Sequence, residues 1–142
     1  MIAIDTNVLL RYLLQDDEKQ SELARQVILG SDEALITGVV LVETIWTLKG
    51  KKYRLDKAGV LATLNALFAE PNLVFEDDQA VWRALQDYSK SGTLSKRSAD
   101  FPNALIVNKA KSYSKTWQLE LTGIYTFDKG ALQLEGTLEP NA

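Results

Sequence analysis

Neither cysteine nor histidine occurs anywhere in the 142 residues. Without cysteine there are no disulfides, thiol nucleophiles or cysteine zinc sites. Without histidine there are no Ser-His-Asp triads, imidazole bases or histidine-rich metal sites. Any catalysis must therefore run on carboxylates, lysine, tyrosine, hydroxyls, or a hard cation held by oxygens. Long apolar runs are missing too, and none approaches the roughly 20 residues needed to span a bilayer. The N-terminus carries Asp5 and no basic segment ahead of an apolar one, so it does not read as a signal peptide and a cytoplasmic protein is expected. Positive charge is not in excess either: Lys and Arg total 16 against 19 Asp and Glu, a net charge of -3. Nucleic-acid binding would therefore need local basic patches.

What remains is ordinary for a globular chain, with 46% apolar and 25% charged residues. The length suits one domain, residues 1–142, with a core that needs no disulfide or structural metal.

The chain opens on Met1-Ile2-Ala3-Ile4-Asp5-Thr6-Asn7. An Ile-rich run without polar alternation reads as a strand buried on both faces, as in a parallel sheet. Val8 to Leu14 then reads as a buried helix, so Asp5 falls where a parallel strand ends and a helix begins. In open α/β sheets ligands bind at that carboxyl edge. A helix cap explains Asp5 equally well at this point.

Further along, Asp16 or Asp17 starts a helix to about Leu29 with Leu23, Ala24, Val27 and Ile28 at helical spacing. Ala34–Thr37 reads as a second strand broken by Gly38. Val39–Leu48 is apolar almost all round, and as a helix it would carry Glu43 into the interior. Buried glutamate almost always has a partner or a metal. Gly50-Lys51-Lys52-Tyr53-Arg54 is a basic turn, either a solvated helix C-terminus or a phosphate-contacting edge with Tyr53 free to stack. Asp56 caps a helix to about Ala69, Leu73–Phe75 is a third strand, and Asp77 or Asp78 starts another helix. Ser89 to Ser98 reads as a polar loop. Pro102 fits only a first turn, so the next helix begins near Asp100. Leu121–Phe127 reads as a strand delivering Asp128, and the tail through Leu138 adds a short edge strand. This alternation predicts an α/β fold, a three-layer α/β/α sandwich around a mostly parallel sheet.

Two strand-end aspartates, with Glu43 and Asp100 on helices starting near the same edge, let four carboxylates converge. Clustered carboxylates repel one another, which points to a cation. With His and Cys absent, the matching ions are Mg²⁺ or Mn²⁺, which suit phosphate chemistry.

Ile4-Asp5-Thr6-Asn7-Val8-Leu9, Val42-Glu43-Thr44, Asp100-Phe101-Pro102-Asn103-Ala104-Leu105-Ile106 and Thr126-Phe127-Asp128-Lys129 together resemble the ordered motifs of PIN-domain ribonucleases. Within that family the chain is most similar to VapC-type toxins of bacterial toxin–antitoxin pairs. The resemblance implies Mg²⁺- or Mn²⁺-dependent cleavage of RNA, an antitoxin partner and a homodimer. It implies catalytic Asp5, Glu43, Asp100 and Asp128, with Asn103 joining them as a metal ligand. Thr6, Asn7 and Thr126 would orient those ligands. Arg11, Lys51, Lys52, Lys96 and Arg97 are candidate RNA contacts. The departure is Asn103, where the family usually writes aspartate. The site then has one negative charge fewer, which leaves open a weakened enzyme or a non-catalytic module that binds RNA or protein.

Overall fold

The computed structural model describes residues 1–30, 32–92 and 98–141, so the predicted RNA contacts Lys96 and Arg97 lie outside the described residues. The chain forms two compact units, Met1–Glu76 and Asp77–Ala142.

The first unit contains β1 (Ile2–Ala3), α1 (Thr6–Leu14), α2 (Glu18–Ile28), β2 (Ala34–Ile36), α3 (Gly38–Lys49), α4 (Lys57–Ala69) and β3 (Leu73–Phe75). Its sheet has the order β1-β2-β3 and is parallel throughout, with Ile2 opposite Ala34 and Ala34 opposite Leu73. Parallel neighbours need long crossovers, and a helix pair supplies each one. This is the α/β class that the alternation of strands and helices predicts.

Helix starts follow local chemistry. Asp5, Asp17, Thr37 and Asp56 each accept a hydrogen bond from the backbone N–H three residues on, at 3.0, 2.9, 3.4 and 2.8 Å. These bonds satisfy donors that a helix's first turn leaves orphaned. Gly38, expected to break a strand, is instead the first residue of α3, capped by Thr37. The core comprises Leu9, Ile28, Ile36, Leu41, Ile45, Val60, Leu64 and Leu67, all fully buried. Phe68 stacks on Phe75 at 4.5 Å between centroids.

The helical spacing of Leu23, Ala24, Val27 and Ile28 holds in α2, where Ala24 and Ile28 are buried while Leu23 and Val27 are exposed and line a surface groove. The expectation of a strand buried on both faces needs correction: β1 stands at one end of the three-stranded sheet, Ala3 is exposed, and Ile4 just beyond it is buried.

The second unit contains α5 (Asp78–Lys90), α6 (Phe101–Thr116), β4 (Ile124–Tyr125), a 3₁₀ turn (Ala131–Gln133) and β5 (Thr137–Leu138). Helix α5 runs two residues into the expected loop and buries Ala80, Val81, Ala84, Leu85 and Tyr88. Phe101 meets Tyr88 edge-on at 6.1 Å. The buried Asn108 amide ties α6 to α5, donating to Asp87 Oδ2 at 2.8 Å and to the Ala104 carbonyl at 2.9 Å. The strand expected over Leu121–Phe127 shrinks to two residues, and the tail strand β5 pairs with it in parallel.

Candidate metal centre

Asp5 stands two residues beyond β1, at the carboxyl edge of the parallel sheet. Its Oδ1 accepts from the Val8 N–H at 3.0 Å. Next to it in sequence, the Thr6 hydroxyl donates to Glu43 Oε1 at 3.3 Å, which brings the start of α1 to the outer face of α3. Glu43 is exposed, contrary to the expectation of an interior glutamate. The polar residue that α3 does bury is the neighbouring Thr44, whose hydroxyl donates to the Val40 carbonyl at 2.7 Å. Asn7 is exposed beside Asp5 at the rim of the groove and, among the described residues, touches neither carboxylate by a hydrogen bond.

In the second unit Asp100 caps α6, its Oδ1 accepting from the Asn103 N–H at 2.8 Å. The Asn103 side chain lies one helical turn further on, half-buried. Asp128 repeats the device beyond β4: its Oδ1 accepts from the Ala131 N–H at 2.9 Å. Thr126 Oγ1 accepts from the Asp128 N–H at 3.0 Å and so fixes the backbone that carries this carboxylate. The three aspartates therefore share one arrangement. One carboxylate oxygen is anchored to a backbone N–H, and the other has no hydrogen-bond partner among the described residues. Capping and ligation are not alternatives for such a group, because the cap orients the oxygen that remains.

Two residues outside the motifs support this frame. Gly130 packs directly on the Ser98 carbonyl, leaving no room for a Cβ, and so holds the Asp128 loop against the irregular segment leading to Asp100. Ser91 Oγ accepts from the Ala99 N–H of that segment at 2.7 Å. Gly130→Ala should cost about 1–3 kcal/mol. A denaturant titration checks it, and an unchanged midpoint would show that the Ser98 backbone moves aside freely. Glu76, a third strand-end carboxylate, follows β3 and accepts from the Gly38 N–H at 3.1 Å. The same strand-end signal that marks Asp5 and Asp128 points to it.

Arg11, expected to contact RNA, is engaged by Asp16 at 2.7 Å. The bond to Arg11 holds the Asp16 carboxyl below its ordinary range and raises the Arg11 guanidinium. Lys51 and Lys52 are exposed on the turn after α3.

A PIN domain family model matches residues 2–132 of the chain. The chain belongs to the PIN-domain family. A search of curated proteins finds no match. PIN domains are in general metal-dependent nucleases that act on nucleic acids and typically use divalent ions.

The donor set of this PIN domain suits such ions, since every candidate ligand offers oxygen and none sulfur or imidazole. Among the described residues no three or more carboxylates stand close enough together to hold one ion. Mg²⁺ does not require that many: it keeps several waters and is commonly held by one or two carboxylates and the substrate's own phosphate. No helix among the described residues is long and apolar enough to cross a membrane.

Proposed function

We propose that this chain is a single PIN domain acting as a Mg²⁺- or Mn²⁺-dependent endoribonuclease of the VapC type, hydrolysing RNA phosphodiesters in the cytoplasm. The observation that carries the reading is the common arrangement of Asp5, Asp100 and Asp128, each oriented by a backbone bond that leaves one oxygen unclaimed. In this reading Asp5, Glu43, Asp100 and Asp128 are the catalytic carboxylates and metal ligands. Asn103 adds a neutral amide oxygen. A bound Mg²⁺ or Mn²⁺ supplies an acidified water and offsets charge on the phosphate in the transition state. Thr6 orients Glu43, and Thr126 fixes the Asp128 backbone.

Two partner readings belong to the same proposal. The groove of about 300 Å³ lined by Asp5, Val8, Leu23 and Val27 offers an apolar seat beside Asp5, and it supports an antitoxin that occludes the site. Ile106 and Tyr113 on α6, with Trp117 at its C-terminal cap, form an exposed stripe, which supports a homodimer.

The test is incubation of single-stranded RNA with the purified protein in Mg²⁺, in Mn²⁺ and in EDTA. Cleavage only with metal is expected, and cleavage undiminished in EDTA would contradict the reading. Asn103 favours a second possibility, a PIN module that binds RNA without cutting it, which intact RNA bound in Mn²⁺ would reveal. Asn103→Asp returns the missing charge and should raise Mn²⁺ affinity and cleavage rate on the order of tenfold. Unchanged values would mean that Asp100 already supplies what the site needs.

A further inference from the structure

Glu43 does not stand alone on the outer face of α3. Val39, Glu43 and Trp46 follow the i, i+4, i+7 spacing of one helix stripe. Val39 is 70% and Trp46 62% exposed, while Leu41, Thr44 and Ile45 on the opposite side are fully buried. The stripe runs to Gly50 and the turn beyond it. Residues 49–57 hold five cations, Lys49, Lys51, Lys52, Arg54 and Lys57, against one acid, Asp56, in a chain whose net charge is -3. The Asp56 carboxylate is occupied as the cap of α4.

Lys49 suits the negative end of the α3 dipole, but Lys51, Lys52 and Arg54 lie past that helix and are not explained by it. Among the described residues, none of Lys49, Lys51, Lys52 and Arg54 forms an ion pair with a carboxylate. The turn that displays them is nonetheless fixed. The Arg54 N–H donates to the Gly50 carbonyl and the Leu55 N–H to the Leu48 carbonyl, both at 2.8 Å. The Tyr53 hydroxyl reaches Asp16 Oδ2 at 3.4 Å, and Arg11 holds the other oxygen of that carboxylate. Lys52 lies over the Tyr53 ring at 5.2 Å and Arg54 Nε donates to the Lys51 carbonyl at 3.2 Å, so the cations are held in place without a carboxylate to neutralise them. A preorganised cluster of cations without acidic partners beside an exposed tryptophan matches the chemistry of a polyanion with stackable bases.

We propose that the outer face of α3 and the turn after it form a docking track for single-stranded RNA that leads to Glu43. Trp46 stacks on an unpaired base, and Lys49, Lys51, Lys52 and Arg54 contact the phosphates of the strand. Seven residues separate Glu43 from Gly50, about 10 Å of helix rise, so these anchors lie a few nucleotides from the bond that is cut. Duplex RNA hides its base faces and is the poorer ligand. This track rests on the nuclease reading of Glu43, and binding measured without metal separates the two.

The experiment is fluorescence anisotropy of labelled single-stranded RNA, and of its duplex, titrated in EDTA at several salt concentrations, with cleavage assayed separately in Mn²⁺. Wild type should prefer the single strand, and Trp46→Ala should weaken its binding roughly five- to a hundredfold. Replacing Lys51 and Lys52 together by Ala should reduce the slope of log Kobs against log salt by about 1.4, or 0.7 for each lost contact. Variants that bind and cleave as wild type does would overturn the track and leave the nuclease reading intact. Wild type that binds and responds to these substitutions but never cuts would support the track and overturn the nuclease reading. Should Trp46→Ala dissociate an oligomer in sedimentation without weakening RNA binding, the face belongs to a second copy and the proposal fails.

Discussion

Asp5→Asn is expected to lower metal-dependent RNA cleavage by more than about a hundredfold while barely moving the thermal melt. Removing groups that merely orient metal ligands typically costs about 10- to 100-fold, so losing a ligand's charge should exceed that. Stability is preserved for a separate reason. The Asp5 cap needs only an oxygen that accepts from the Val8 N–H, and asparagine serves as an N-cap about as well as aspartate does. Asp5→Ala provides the contrast, since it removes the cap as well and should cost about 0.5–2 kcal/mol. Parallel cleavage assays and melts of the two variants separate the roles. If Asp5→Asn cuts RNA as fast as wild type, Asp5 is a cap and nothing more.

Phe101→Ala should have the largest effect on folding. Phe101 is 0% exposed, follows the Asp100 cap directly, and meets Tyr88 edge-on. Emptying that position costs about 3–5 kcal/mol, a large share of the roughly 5–15 kcal/mol that stabilises a domain. The melt should fall by roughly 6–20 °C. Phe101→Leu keeps most of the volume and should cost less than about 1.5 kcal/mol. Calorimetry of both variants decides it, and equal losses would mean that shape at this position matters more than volume.

The parts of the fold that the sequence makes legible are those governed by near neighbours. Asp17, Asp56 and Asp100 announce helix starts because capping needs only a short polar side chain and a backbone N–H three residues away. Glu43 is the instructive failure. Its apolar neighbours argue for an interior position, yet Val39 and Trp46 share its stripe and are themselves exposed. Hydrophobic residues on a face that serves something other than the core mislead any reading based on burial.

Other features depend on partners far along the chain and leave no local mark. The Asn72 amide donates to the carbonyls of Ile28, Gly30 and Asp32, more than forty residues away in two of the three cases, at 2.7, 2.8 and 2.8 Å. Asn108 reaches back to Asp87 in the same way. In sequence Gly130 is merely a turn glycine, and only its packing on Ser98 gives it a role in holding Asp128. At the candidate site the motifs identify which carboxylates to consider. The structure adds that each of the three aspartates keeps one oxygen available.

Anomalous scattering from crystals soaked in millimolar Mn²⁺ tests the metal assignment most directly. A peak within coordination distance of Asp5 Oδ2, the oxygen that the Val8 cap leaves unclaimed, is the expected result. No peak, or one touching none of Asp5, Glu43, Asp100 and Asp128, would contradict it.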